Sequence, residues 1–125
     1  MIEALFNQPN YAASKKLMDA TALRHQAIAS NLANVETPQY QRVDIAPSFR
    51  EELNQAMNSR SPGQIAQVEP RLAVDTTAVP HGRDGNTVQM EDELLQLSQN
   101  TLAHTVESQM ITASLVRLRL AISGK

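Results

Sequence analysis

The chain lacks several residue types that small catalytic or metal-binding domains use. Its 125 residues include no cysteine and no tryptophan, with only two phenylalanines and two tyrosines. Without cysteine, neither a disulfide framework nor a thiolate metal site can form. With so few aromatic rings, the chain has few bulky anchors for a compact core. We therefore expect part of its apolar surface to be buried against copies of itself or against partners.

The sequence also lacks an excess of either charge. Eleven basic and thirteen acidic side chains leave a formal net charge of −2, and no basic run marks a nucleic-acid interface. The start of the chain shows no basic segment followed by an apolar one. No apolar run approaches the roughly 18 residues that span a bilayer. The default expectation is a soluble cytoplasmic protein, unless a dedicated secretion machine exports the chain.

Proline and glycine divide the chain into three parts. Five of the six prolines and three of the four glycines lie in residues 36–86. We predict an N-terminal helical part over residues 1–35, an irregular central segment over 36–86 and a C-terminal helix over 87–125. The predicted fold class is all-α, with two long helices paired as a coiled-coil-like hairpin around an extended, largely irregular centre.

The N-terminal helix is predicted over about residues 11–33. Its apolar stripe includes Met18, Ile28 and Leu32 at heptad-like steps of three and four residues, and Asn7 or Asn10 is a possible N-cap.

The central segment has little regular pattern. A short helix is predicted near residues 48–58, where Ser48 and Glu51 form a possible capping box. Partial alternation predicts a short strand near residues 71–79. So long an irregular connection is unusual in a compact domain, so we expect it to become ordered by packing on other surfaces.

The C-terminal helix carries the strongest pattern, two apolar stripes on different faces. The main stripe alternates steps of four and three residues from Met90 to Ile122, as coiled coils do, and Asn86 or Thr87 is the expected N-cap. Two stripes need two neighbours: we expect the N-terminal helix on one and, on the other, another subunit, with the central segment as the alternative. Repeated packing between subunits builds a filament or tube when the contact is heterologous and does not close. The expected packing positions in this helix are Met90, Leu94, Leu97, Leu102, Val106, Ile111, Leu115, Val116, Leu118, Leu120 and Ile122.

Two histidines are the strongest candidates for chemistry. An antiparallel pairing of the helices would bring His25 and His104 close together, but two histidines without a third ligand make a poor zinc site. We interpret them as polar residues that fix helix register. The sequence shows neither a nucleotide-binding glycine motif nor a nucleophile elbow. We therefore predict no catalytic residue, metal or cofactor, and a small helical-bundle enzyme stays a remote alternative.

The stretch ASNLANVETPQYQR, residues 29–42, has the features of a helix stop followed by a turn. Asn34 suits a left-handed C-cap, and Pro38 cannot continue a helix. A turn is expected from Thr37 to Tyr40. Its third residue, Gln39, favours a type I turn or is forced into a strained conformation.

This stretch resembles the N-terminal signature of the flagellar axial proteins, the rod, hook and hook-associated proteins: A-x-N-[IL]-A-N-x-x-T-P-G-Y-[KQ]-R. Gln39 departs from it, because the family usually has glycine there. The stretches YQRVDIAPSF and SLVRLRLAISGK, and a length too short for an outer domain, make the chain look most like a proximal-rod protein. A sister proximal-rod protein and other axial proteins are the alternatives. The residues that match the signature are Ala29, Asn31, Leu32, Ala33, Asn34, Thr37, Pro38, Tyr40 and Arg42.

The resemblance implies a structural subunit of the bacterial flagellar rod, not an enzyme. Such a subunit polymerises into the drive shaft that transmits torque and surrounds the export channel, with its two long helices in the inner layer. It reaches the periplasmic rod through the flagellar type III apparatus without a cleaved signal peptide. The implied partners are copies of itself, other rod subunits, the basal adaptor protein, the MS ring and the export gate, with no nucleic acid and no direct membrane span.

Overall fold

The computed structural model describes residues 8–124, and these residues are mostly helical. A long helix lies at each end, as predicted, while coiled-coil packing between the two helices stays a prediction. The elements within this range are α1 (Pro9–Ala33), β1 (Val43–Ile45), α2 (Ser48–Ser59), α3 (Pro62–Gln67), β2 (Leu72–Val74) and α4 (Met90–Ser123).

Helix α1 begins without a side-chain cap. Gln8 is the N-cap residue, and Pro9 occupies the first turn, where its missing N–H leaves no donor unsatisfied. The prediction that Asn10 caps the helix is wrong, because Asn10 lies inside it. The other candidate cap, Asn7, lies outside the described residues. Helix α1 has 25 residues and is about 37 Å long.

Helix α4 begins three residues later than predicted. Gln89 is its N-cap residue, and no side chain caps it, so neither Asn86 nor Thr87 has the expected capping role. The first turn is acidic, which the helix dipole favours. Gly124 ends the helix with φ 69° and donates its N–H to the carbonyl of Leu120. The 34 residues of α4 span about 51 Å.

Helices α1 and α4 are antiparallel, and polar side chains join them. Residues closer to the end of α1 form hydrogen bonds with residues closer to the start of α4. Two of the α4 residues in this contact, Glu93 and Asn100, are only 1% and 3% exposed. The pairs are Thr21 with Asn100 and His104, Arg24 with Gln96, and Asn31 with Glu93.

The expected apolar stripes of α4 do not coincide with this buried face near its start. Met90 and Leu94, which belong to the main stripe, are 47% and 48% exposed, and Leu115 and Ile122 near its other end are 42% and 58% exposed, whereas Leu97 and Ile111 are partly buried. A straight helix repeats every 3.6 residues, so a 3.5-residue stripe drifts by about 20° per heptad across its face. A pattern of apolar positions also does not detect the polar side chains that are buried on this face, Glu93 and Asn100. The main stripe therefore follows the contact with α1 over only part of its length.

The second stripe of α4 is exposed along its length. Leu102, Val106, Val116 and Leu120 are 66%, 46%, 50% and 50% exposed. The role of these side chains in assembly stays a prediction, because the single chain gives them no neighbour.

The central segment packs on α1 and contains more regular structure than expected. Helix α3 was not predicted, although Ser61 caps it by accepting from the N–H of Gln64 and Pro62 opens it. The capping box at Ser48 is wrong: Pro47 is the N-cap residue, and Ser48 already belongs to α2. Strand β2 lies inside the predicted strand region and pairs antiparallel with β1.

The largest buried apolar cluster joins the first half of α1 to α2 and α3. Three alanines contribute to it, so the helices approach closely and few large side chains are buried. The central segment is therefore a packed layer against α1 and not a free loop. The cluster comprises Ala13, Ala20, Phe49, Leu53, Ala56, Ile65 and Val68.

Candidate functional site

Asn34 ends α1 in a different way from the one expected. Its φ of −111° lies outside the left-handed region, so the predicted left-handed C-cap is wrong. Instead, the side-chain Nδ2 donates to the carbonyl of Ser30 at 2.8 Å, and Oδ1 accepts from the hydroxyl of Thr37 at 3.1 Å. The amide satisfies a carbonyl at the helix end, which a left-handed residue would otherwise help to satisfy.

The turn after α1 places Gln39 in the left-handed region. Its φ is 61°, and the N–H of Tyr40 donates to the carbonyl of Thr37 at 3.3 Å. Positive φ at the third residue is what a type II turn requires, and glycine suits that position best. Gln39 also donates its N–H to the carbonyl of Asp84 at 2.7 Å. Of the two conformations considered for Gln39, the structure has the strained one.

Asn86 connects the distant end of the central segment to this turn. Its side chain is only 1% exposed. Nδ2 donates to the carbonyls of Asn34, Val35 and Thr37 at 2.8, 3.1 and 2.8 Å, and Oδ1 accepts from the N–H of Val88 at 2.7 Å. No sequence motif predicts this role, since nothing local indicates that a carboxamide will bond to backbone carbonyls about fifty residues away.

Asn31 acts as a hydrogen-bonding partner for the first strand. It is completely buried, and its amide both accepts from the N–H and donates to the carbonyl of Val43, at 2.9 and 2.8 Å. Nδ2 also donates to Glu93 at 3.2 Å, and the hydroxyl of Tyr40 donates to Oδ1 at 3.3 Å. One side chain therefore joins α1, β1, the turn and α4.

Arg42 is the centre of a buried ion cluster. Its Nε donates to Glu93 at 2.6 Å, and its Nη1 donates to Asp75 at 2.6 Å and to Asp44 at 3.3 Å. Its backbone N–H donates to the hydroxyl of Thr87 at 2.8 Å. Within residues 8–124, Nη2 is buried without a hydrogen-bond partner.

The electrostatics of the cluster favour the charged forms of Arg42 and Asp75. Burial lowers the pKa of Arg42, but hydrogen bonds with Glu93 and Asp75 outweigh burial and hold that pKa above its ordinary value. The pKa of Asp75 lies below its ordinary value, mainly because the hydroxyl of Thr77 donates to it and also because Arg42 does. A buried pair of this kind is costly to break, because the remaining charge stays desolvated.

The cluster and the three asparagines beside it are here called the junction: Asn31, Asn34, Arg42, Asp44, Asp75, Asn86 and Glu93. It ties the end of α1 to β1, to the segment after β2 and to the first turns of α4. Apart from Nη2 of Arg42, the polar side-chain groups of the junction form hydrogen bonds or ion pairs within the chain. The junction therefore holds these elements together. Across residues 8–124, no group of three or more histidine and acidic side chains is arranged to hold a metal ion.

Comparison with known proteins gives the chain a family. No family model matches the sequence. The flagellar basal body rod protein FlgB of Aquifex aeolicus is 31% identical over 114 residues, covering 89% of this chain and 90% of the relative. The chain belongs to the FlgB family of flagellar basal-body rod proteins.

Other members of this family are more distant but cover the chain almost as fully. The FlgB of Salmonella typhimurium is 28% identical over 88% of this chain and 90% of its own. The FlgB of Aeromonas hydrophila is 25% identical, over 82% and 83%. The sequence analysis left a sister proximal-rod protein, FlgC, as an alternative, and the relatives found favour FlgB.

The structure brings some of the signature residues together and leaves others at the surface. Asn31 and Arg42 are buried in the junction, and Leu32 is partly buried. Ala29, Ala33 and Pro38 are exposed. Within the family signature, polar residues thus contact the chain's own backbone and side chains, while Ala29 and Ala33 lie at the surface of α1 and Pro38 lies at the surface of the turn.

The two candidate histidines line one groove between the long helices. His104 Nδ1 lies 2.8 Å from the hydroxyl oxygen of Thr21, whereas His25 is exposed. Both line a cavity of about 420 Å³ on one side of the α1–α4 contact. This geometry suits a register role for His104. Among the helices that the structure describes, none is long and apolar enough to cross a membrane.

Proposed function

We propose that this FlgB-family chain is a structural subunit of the proximal rod that polymerises by helix–helix packing. In this proposal the assembled subunits form the drive shaft that transmits torque and surrounds the export channel. Family membership supports the rod assignment, and each of the seven relatives found is a flagellar basal body rod protein FlgB.

The unpaired apolar surface of α4 is the observation that carries the assembly proposal. Among residues 8–124, fourteen large apolar side chains are exposed, and ten of them lie on this helix. The chain exposes 8292 Å², whereas a compact monomer of its mass exposes about 6600 Å². Exposed apolar surface of this extent marks interaction sites, and a helix with two faces to cover needs a second subunit.

The proposed arrangement places α1 and α4 side by side in the inner layer of the rod. Their antiparallel hydrogen bonds support this pairing, and coiled-coil-like contacts would then form between subunits through the exposed α4 stripe. The central segment would form a layer on α1, held in place by the junction. We propose the same division of the chain as the sequence analysis, an inner-layer part over 1–35, a central part over 36–86 and a second inner-layer part over 87–125.

The proposed partners are copies of this chain, other rod subunits, the basal adaptor protein, the MS ring and the export gate. The location is the periplasmic rod, reached through the flagellar type III apparatus without a cleaved signal peptide. We also propose that ordering is completed on assembly, because the apolar surface of α4 has no cover in the single chain.

Deletion of the gene in its own bacterium tests the rod assignment. The expected result is loss of motility and of assembled rods in isolated basal bodies, with both restored by the gene on a plasmid. Normal motility and intact rods in the deletion strain would contradict the proposal.

Circular dichroism over a concentration series tests the coupled ordering. We expect the helical signal to rise as the chain associates. Full, cooperative helicity in dilute monomer would contradict coupled ordering without affecting the rod assignment.

A further inference from the structure

We propose that the acidic start of α4, with the cavity beside it, binds the C-terminal helix end of a neighbouring rod subunit. The occupant is the C-terminal end of α4 in a second copy of this chain, an apolar helix end that carries arginine and, over residues 108–124, no acidic side chain. The inference rests on the proposed function, since it names which surfaces meet between subunits.

The cavity has room for inserted side chains. It measures about 310 Å³ and lies between the segment after β2 and the first turns of α4. Asp75, Asp92 and Glu93 line it on the acidic side. Val79 and Leu95 also line it, and they are 69% and 58% exposed in the single chain. A site with acidic and apolar walls suits a ligand that is both basic and apolar.

Three groups at this site, two carboxylates and one guanidinium nitrogen, have no partner in the described chain. Glu91 and Asp92 are exposed at the start of α4, and neither forms an ion pair within residues 8–124. Arg42 lines the cavity, and its Nη2 is the one buried side-chain atom of this range left without a hydrogen bond. The carbonyls at an incoming helix end are free acceptors, so one of them can accept a hydrogen bond from Nη2. The arginines of that helix end can pair with the carboxylates.

The far end of α4 has the complementary chemistry. Residues 108–124 contain no carboxylate and two arginines, Arg117 and Arg119, both exposed. Val116, Leu120 and Ile122 are at least half exposed around them. The last turn of α4 contains no basic residue, and the helix dipole acts mainly within the last turn. The dipole therefore does not explain why arginines are placed here.

The two surfaces can meet only between subunits. Glu91 and Arg117 lie on the same helix, separated by about 39 Å at 1.5 Å per residue. Two antiparallel α4 helices would make the head-to-tail contact twice and close a dimer, whereas α4 helices that point the same way make it heterologous, so that it continues from subunit to subunit. That is the kind of contact a rod needs.

Charge reversal and its compensation test the contact. Self-association of the full-length chain is measured by sedimentation at low and high salt. Glu91→Lys with Asp92→Lys should weaken association about tenfold or more, as should Arg117→Glu with Arg119→Glu, because like charges then face each other. A chain carrying all four changes should associate nearly as well as the parent chain, and salt should weaken the parent contact.

A matched control separates the contact from helix stability. Glu51 is also an exposed acid in the first turn of a helix, and Glu36 is exposed. Glu51→Lys with Glu36→Lys should leave association unchanged, and thermal unfolding of each variant reports on its fold.

Three outcomes would overturn the proposal: a parent chain that stays monomeric at low salt, unchanged association in the reversed variants, or additive losses in the fourfold variant. Each of these can occur while gene deletion still abolishes rods. The proposed function would then stand and only the head-to-tail contact would fall.

Discussion

At the residue scale, Gln39 stands where both the sequence and the backbone are unusual. It replaces the glycine of the resembled signature, and it holds φ at 61°, a conformation that costs a non-glycine residue about 1–2 kcal/mol. The surroundings impose this conformation, because the N–H of Gln39 donates to the carbonyl of Asp84 and the N–H of Tyr40 donates to the carbonyl of Thr37, which closes the turn. Strain of this kind persists only where neighbouring contacts over-determine the backbone.

Replacing Gln39 with glycine should stabilise the chain. Relief of the left-handed strain exceeds the extra entropy of glycine in the unfolded state, so we expect a gain of about 0.5–1 kcal/mol in urea unfolding. Gln41→Gly is the control, since Gln41 has no positive φ, and it should destabilise the chain. A loss of stability in Gln39→Gly would show that the glutamine side chain contributes more than its backbone costs.

Asn86→Asp should destabilise the chain far more than its small change in shape suggests. The carboxylate keeps an acceptor for the N–H of Val88 but loses the donor that faces three carbonyls. We expect a loss of about 2–3 kcal/mol or more, from unsatisfied buried groups. Asn58→Asp, at an exposed position of α2, is the control. Similar unfolding midpoints for both variants would remove Asn86 from the junction.

At the element scale, the ion cluster at Arg42 holds three separate pieces of chain together: β1, the segment after β2 and the first turns of α4. Arg42→Met keeps side-chain volume but leaves Glu93 buried without its cation, and loss of one partner of a buried pair costs about 3–5 kcal/mol. Arg71→Met is the matched control, because Arg71 pairs with Glu52 at 3.4 Å on the exposed surface. That pair should contribute at most about 1 kcal/mol. Equal losses in urea unfolding would mean that the cluster is not a buried network.

The polar contact between α1 and α4 should respond to pH through Glu107. Burial raises the pKa of Glu107 above its ordinary value of 4.5, against opposing effects of Thr21 and His104. The carboxyl of Glu107 therefore holds its proton more tightly in the folded chain than in the unfolded chain. The free energy of unfolding should fall as pH rises above 4.5.

Glu107→Gln should remove that decline and be more stable than the parent chain at neutral pH. The difference should disappear below the ordinary pKa. Asp75 acts in the opposite direction: its lowered pKa gives stability that is lost as pH falls below 3.8. Glu91→Gln, an exposed change on the same helix, is the control, and an unaltered pH profile in Glu107→Gln would contradict this effect.

The sequence predicted the two long helices because apolar periodicity and proline placement are local signals. It predicted the face of α4 that meets α1 only in part: His104 of the main stripe does contact Thr21 of α1, but Glu93 and Asn100 also occupy that face, and a search for apolar residues does not detect them. The sequence indicated only about half of the junction residues. Asn31, Asn34 and Arg42 lie in a recognisable signature, but their partners Asp75, Asn86 and Glu93 are distant in sequence and carry no motif of their own.

At the scale of the whole molecule, internal and external surfaces are divided between the elements. The central segment covers the first half of α1 with a small core rich in alanine, while α4 presents most of the exposed apolar side chains. A monomer with this division is incomplete, because burial of apolar surface is the main favourable contribution to folding. The junction fixes the elements within one subunit and leaves α4 available to others.

An electron cryo-microscopy map of the basal body from the parent bacterium tests this view most directly. We predict that the chain lies in the proximal rod, with α1 and α4 antiparallel in the inner layer and the exposed stripe of α4 covered by neighbouring subunits. The junction around Arg42 should be intact in each copy. A rod built without this chain, or copies whose α4 stripe faces solvent, would contradict it.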